Sequence, residues 1–149
     1  MIWSYKLFNE LTVNELYEIM YIRQIVFVVE QNCPYLDVDG KDLASWHLMG
    51  RDADSKELVA YTRLLPQGVA YETEISIGRV VTHPKVRKTG AGRALMTQSL
   101  KQIRALCPNQ PIRIGAQCYL IAFYESFGFK TDGETYLEDG ILHIEMIMA

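Results

Sequence analysis

One short run, Arg87-Lys88-Thr89-Gly90-Ala91-Gly92, constrains this chain more than any other feature. It follows an apolar, strand-like stretch, Ile75 to Thr82, and opens a helix-like stretch, Ala91 to Leu106. A Gly-spaced turn between a strand and a helix makes an anion site. Glycines let backbone approach a phosphate closely, and the first helical N–H groups have no partner inside the helix. Arg87, Lys88 and Arg93 add positive charge where the helix dipole already favours an anion. Two familiar phosphate loops fail here. A P-loop needs Lys-Ser/Thr after its last glycine, but Gly92 is followed by Arg93-Ala94. A dinucleotide fingerprint needs a third glycine, and Leu95 stands in its place. A plain Gly-rich turn carrying solvated charges stays open on this run alone.

A second segment, Gln117-Cys118-Tyr119-Leu120-Ile121-Ala122-Phe123-Tyr124-Glu125-Ser126-Phe127-Gly128-Phe129, narrows the choice. With Arg87, Gly90 and Gly92 in an Arg-x-x-Gly-x-Gly arrangement ahead of it, the chain resembles the GNAT N-acyltransferases along essentially its whole length. Phe123, Tyr124, Gly128 and Phe129 match that family's later signature. Gln117 stands where the family has Asn, and Leu120 where it has Ala, which leaves the Asn contact to pantetheine open. The stretch from Phe27 to Tyr35, followed by Asp37-Val38-Asp39-Gly40, is similar to the ElaA-like subgroup.

The resemblance implies transfer of an acetyl group from acetyl-CoA to a primary amine, by direct attack in a ternary complex. It implies that backbone groups of Lys88, Thr89, Gly90, Ala91, Gly92 and Arg93, with Arg87, meet the pyrophosphate. Main-chain groups of Val80, Val81 and Thr82 would pair with pantetheine as an added strand, and Gln117 and Tyr124 would also touch the coenzyme. Tyr124 is the candidate general acid, since a phenol can protonate a departing thiolate. The plainer alternative is a core tyrosine with its hydroxyl bonded to backbone. Glu74 is the candidate base, against an ordinary solvated carboxylate. Cys118 has no His at useful spacing and reads as a packing residue, so no activated nucleophile is in view. The rival from another class is a non-catalytic acyl-CoA-binding sensor or interaction module with the same fold.

The acceptor site is sketched more lightly. Glu30, Asp37, Asp39 and Asp42 cluster after the first helix and would attract a cationic amine, unless they are only a solvated loop. His47 is a candidate for the acceptor pocket or a structural histidine, and His143 faces either cleft or solvent. A small-molecule or peptide amine is the expected partner; many family members form homodimers.

Length and composition fit one domain over residues 1–149. The chain is 49% hydrophobic, yet no apolar run is long enough to span a bilayer. Its start lacks the basic lead into an apolar stretch that marks a signal peptide. Three scattered cysteines fit neither a disulfide framework nor a metal site, and a reducing cytoplasm is the expected location. Net charge is −3 with no basic stripe, which argues against nucleic acid.

The patterns predict a first strand at Ile2 to Phe8, and a helix capped by Thr12 and Glu15 that weakens near Val28-Val29. A hairpin follows over Leu48–Arg51 and Leu58–Leu65, then a central strand from Glu72 to Thr82. A helix over Ala91–Leu106, a strand over Pro111–Ala116 and a helix over Tyr119–Phe127 come next. Final strands lie at Phe129–Thr131 and Ile141–Met148, joined through the Glu138-Asp139-Gly140 turn. Hairpins mixed with helical crossovers point to an α/β (α+β) fold: a mixed, mostly antiparallel twisted sheet flanked by helices, as in the GNAT fold.

Overall fold

The computed structural model describes residues 1–149. Strands β1 (Ile2–Leu7), β2 (Trp46–Arg51), β3 (Leu58–Leu65) and β4 (Ser76–Thr82) form one antiparallel sheet in sequence order. Strands β5 (Ile112–Gln117), β6 (Lys130–Thr131), β7 (Tyr136–Glu138) and β8 (Ile141–Met148) form a second, in which β8 is the hub that pairs with the other three. The helices are α1 (Val13–Arg23), α2 (Ala91–Leu106) and α3 (Ile121–Glu125).

β3 is buried along its whole length because helices cover both faces of the first sheet. Tyr61 meets Ile19, Ile22 and Val26 of the α1 side, and Ala60 meets Leu95 of α2. Thr62 on that α2 face hydrogen-bonds the Ser99 hydroxyl at 2.9 Å. The larger core joins the two sheets: Ile75 and Ile77, Ile112 and Ile114, Met96 and Ile103, Tyr124 and Phe129, Ile144 and Met146.

Local signals place most of these elements. The Thr12 hydroxyl accepts from the Glu15 amide at 3.1 Å, and Glu15 accepts from the Thr12 amide at 2.8 Å. Such a cap stabilises a helix by about 1 kcal/mol. Asp139 and Gly140, both at positive φ, make the tight turn between β7 and β8.

Several boundaries differ from the sequence expectation. After Arg23 the first helix widens into a π-helical stretch, Gln24–Glu30. The central strand begins at Ser76 rather than Glu72, because Gly68 at positive φ and its bond to the Tyr71 carbonyl extend the turn that Pro66 opens. The last helix is only Ile121–Glu125, entered through a 3-10 turn at Cys118–Leu120. The three-residue β7 lies in a stretch to which the sequence patterns assign no strand.

The two sheets touch along one seam. Ile75 pairs with Ile112 in parallel, the Arg113 amide donates to the Ile75 carbonyl at 2.9 Å, and the Ile75 amide donates to Pro111 at 3.2 Å. No further β4–β5 pairing follows, and a cleft opens between Ile77–Thr82 of β4 and Ile114–Gln117 of β5. That parallel seam is what makes the otherwise antiparallel arrangement mixed.

Candidate active site

The cleft encloses about 530 Å³, the size of a small-ligand pocket. Beyond the seam the outer edge of β4 has no strand partner, so its outward N–H and C=O groups face this space. A bulge re-aims that edge. Tyr61 pairs with Val81 and Arg63 with Gly78, so Arg79 and Val80 together stand opposite Thr62. Arg79 adopts φ 50°, a left-handed conformation that costs a non-glycine residue of order 1 kcal/mol or more. Ion pairs hold it there. Its Nε lies 2.8 Å from Asp37 Oδ1, its Nη2 donates to the Asp37 carbonyl at 3.0 Å, and its guanidinium lies over the Tyr35 ring.

At one end of the cleft the chain passes from β4 through the 3-10 turn Pro84–Val86 into α2. Lys88 and Gly90 both take positive φ, 63° and 86°, and curl the backbone into a concave nest. The first intrahelical bond of α2 is Ala94 N–H to Gly90 O, and no side chain caps this end. The amides of Lys88, Thr89, Gly90, Ala91, Gly92 and Arg93 therefore have no protein acceptor. A Cβ at Gly90 or Gly92 would meet nothing within 4 Å, so these positions border open space. Such a row of amides at a sixteen-residue helix N-terminus is suited to an anion. Arg87 reaches across instead to Glu30, with two bonds of 2.7 and 2.6 Å. That contact holds the Glu30 carboxyl below its usual range. The Arg93 guanidinium is turned onto the Phe127 ring at 4.5 Å, and Nη2 donates to Ser126 Oγ at 2.5 Å.

Deeper in the cleft sits Tyr124, 6% exposed. Its ring packs edge-on against Phe123 and Phe129. Its hydroxyl makes no hydrogen bond, backbone included, and is not sealed off, so it opens on the cleft. Burial, with a smaller contribution from nearby Tyr119, pushes this phenol up to about 12. Gln117 lines the cleft at the end of β5, and Leu120 lies in the same wall.

Of the sequence candidates, the cleft gathers Glu30, Val80, Val81, Thr82, Arg87, Gly92, Gln117 and Tyr124. Lys88, Thr89, Gly90, Ala91 and Arg93 lie on the loop and helix end at its margin. Three candidates are placed elsewhere. Glu74 precedes β4, outside the cleft, and accepts from Arg113 Nε at 3.1 Å. A hydrogen bond from Thr73, joined by the Arg113 guanidinium, outweighs the opposing effect of burial and lowers its carboxyl, which makes it a weaker base. Asp37 is tied to Arg23, Arg79 and Tyr35. His47 is fully buried: Nε2–H donates to the Asp42 carbonyl at 2.9 Å, and Nδ1 accepts from the Tyr61 hydroxyl at 2.7 Å. Burial lowers its basicity and keeps it neutral. Asp39 and Asp42 belong to the same network, bound by Arg63 at 2.7 and 3.1 Å.

Two cleft residues were not reachable from motif reading. Gly115 gives space that the Tyr136 hydroxyl approaches: a Cβ there would lie 2.8 Å from it. His143, on β8, lines the cleft; its alternation with apolar residues was the only signal available.

The comparisons with known proteins agree with this architecture. A family model, the acetyltransferase (GNAT) domain, matches residues 45–149. This chain belongs to the GNAT acetyltransferase family. Within GNAT it falls in the ElaA-like subgroup. The Escherichia coli protein ElaA is 44% identical over 140 residues, 93% of this chain and 90% of ElaA, and the crystal structure of ElaA superposes with a TM-score of 0.92. A UPF0039 protein of Synechocystis is 44% identical over 145 residues, 97% of this chain and 93% of its own length. The crystal structure of an acyl-CoA N-acyltransferase from Pseudomonas aeruginosa has a TM-score of 0.92 at 42% identity and full coverage of both chains. For this GNAT chain no helix is long and apolar enough to cross a membrane, and no group of His, Cys, Asp or Glu is arranged to hold a metal ion.

Proposed function

We propose that this GNAT protein is an N-acetyltransferase that moves an acetyl group from acetyl-CoA to a primary amine of a small molecule or peptide. One observation carries the reading: a cleft between parting strands has a row of unpartnered amides at one end and an unpartnered tyrosine hydroxyl within it. The amides of Lys88–Arg93 suit a pyrophosphate, with Arg87 as the nearby cation. The free edge at Val80–Thr82 suits an amide-bearing arm that adds itself as a strand. Glycines with open space before them fit close approach of that ligand.

The chemistry follows from these placements. The amine nitrogen attacks the thioester carbonyl carbon; a C–N bond forms and the C–S bond breaks. Sulfur leaves with the electron pair and meets the Tyr124 hydroxyl. Proton transfer from a phenol at about 12 to the thiolate of a thiol at about 8.5 would be uphill by about 5 kcal/mol in water. In the cleft, desolvation raises the thiol as well. Tyr124 therefore acts first as a hydrogen-bond donor to the developing thiolate and gives up its proton as the bond breaks. Free Cys33, Cys107 and Cys118 fit a reducing compartment such as the cytoplasm.

Calorimetric titration with acetyl-CoA, using ATP and NADH as controls, tests the coenzyme. Saturable heat with acetyl-CoA alone is expected. At about a hundred times the dissociation constant, linkage predicts about 2.7 kcal/mol of stabilisation. Thiol release with a panel of spermidine, an aminoglycoside and a lysine-containing peptide tests transfer. Binding without release on any amine would favour a sensor module; no binding would end the coenzyme assignment.

A further inference from the structure

An alkyl ammonium must lose a proton before it can attack, and Glu74 is placed away from the cleft on Arg113. The second sheet supplies a different group. Register pairing puts His143 beside Gln117 of β5 and Tyr136 of β7, all on the sheet face away from Ile144 and Met146. His143 is 7% exposed and lines the cleft opposite β4. Its Nδ1 lies 2.7 Å from the Ile141 carbonyl, which can only accept. The ring proton therefore sits on Nδ1, and Nε2 keeps its lone pair. Nε2 makes no hydrogen bond and is not sealed from the cleft. Its nearest charge is Glu138 Oε2 at 3.5 Å, and Tyr136 stacks on the ring at 5.7 Å. This is a proton acceptor with a fixed tautomer and a carboxylate poised to stabilise the imidazolium.

We propose that His143 Nε2 is the base that deprotonates the acceptor amine, which rests on the acyltransferase reading above. The ammonium gives one proton to Nε2, and the freed nitrogen pair forms the C–N bond. As the C–S bond breaks, the thiolate takes the Tyr124 proton. The second proton on nitrogen returns through water to the Tyr124 oxygen, and His143 releases its own to solvent. One proton leaves per turnover. The titratable and charged neighbours are Tyr136 and Glu138 of β7, Glu145 of β8 with its partner Arg113 of β5, Tyr71 beside Gly115, Cys118 beyond β5, and Tyr124 and Glu30 across the cleft. Only Glu138 is within ion-pair reach of the imidazole.

Two measurements test it on the full chain. In steady-state assays with acetyl-CoA and a panel amine that wild type acetylates, His143→Gln should lower kcat by roughly 10²–10⁴-fold. It should leave the KM for acetyl-CoA unchanged and abolish the acid limb of the wild-type pH profile. Full turnover with the limb intact overturns the proposal while leaving the acyltransferase reading standing. A wild type that binds acetyl-CoA but acetylates no amine ends both. Independently of turnover, ¹⁵N imidazole spectra of the coenzyme A complex should show the Nδ1–H form of His143, with Nε2 carrying the lone pair. An Nε2–H tautomer overturns the proposal.

Discussion

The Tyr124 hydroxyl is polar, faces the cleft and touches no protein partner, so removing it should cost reaction and not stability. Tyr124→Phe keeps the ring that packs on Phe123 and Phe129. Its melting temperature should stay within about 2 °C of wild type, because no hydrogen bond is lost. Its turnover should fall about a hundredfold or more if Tyr124 protonates the leaving thiolate. Unchanged turnover would leave the phenol a packing residue. The motif around Phe123 and Gly128 made this position readable from sequence, but no motif covered His47 and Asp37, whose site and structural alternatives stayed open until their partners were in view. Their polarity was visible; their partners were not. β2 lies between two covered faces, so His47 had to find hydrogen-bond partners inside the protein: it donates to the Asp42 carbonyl and accepts from the Tyr61 hydroxyl. Those partners come from a loop and a neighbouring strand, contacts that no local spacing encodes.

The entry to α2 makes opposite demands on its two glycines. Gly90 needs its left-handed φ of 86°, so Gly90→Ala should destabilise by about 1 kcal/mol even though its Cβ would meet nothing. Gly92 has ordinary helical backbone and open space before it. Gly92→Ala should therefore hold or raise stability, by up to about 1 kcal/mol in a helix. If the helix end receives a pyrophosphate, the same methyl blocks a charge-assisted bond of about 1.5–3 kcal/mol, and affinity falls roughly ten- to a hundredfold. Denaturant titration and calorimetry on the one variant read both signs; equal affinity would separate this helix end from the coenzyme. Helix starts, hairpin turns and the glycine loop were readable because each is fixed by a few neighbouring residues, as the Thr12–Glu15 cap shows. The bulge at Arg79 was not. Nothing local asks an arginine to take positive φ; the register skip against Tyr61 and Arg63 and the pull of Asp37 impose it.

The first helix, the loop after the π-helical turn, β3 and the bulge of β4 are tied together by one chain of charges. Arg23 meets Asp37 at 2.8 Å and Asp42 at 2.6 Å; Arg63 meets Asp42 and Asp39; Arg79 meets Asp37 and Asp39. Arg23 is fully buried and Arg63 nearly so. Burial alone would raise the Asp39 and Asp42 carboxyls, but Arg63 at Asp39 and Arg23 at Asp42 outweigh it, holding Asp39 well below the usual range and lowering Asp42. A carboxyl lowered in the folded state favours folding at pH values above its unfolded value of about 3.9. That stabilisation is complete near neutrality and drains away as pH falls below about 4 toward the folded values. Wild type should thus lose stability progressively as pH falls from about 5 toward 2. Arg63→Met removes one charge and leaves Asp39 and Asp42 under-compensated, which should cost about 3–5 kcal/mol at pH 7. Because the same carboxyls then sit closer to their unfolded values, the variant should lose less on acidification. Denaturant unfolding of both proteins at pH 7 and pH 3 gives the comparison. Parallel losses would mean that the acid sensitivity arises elsewhere, and that the acidic loop is held to the first sheet by packing rather than by Arg63.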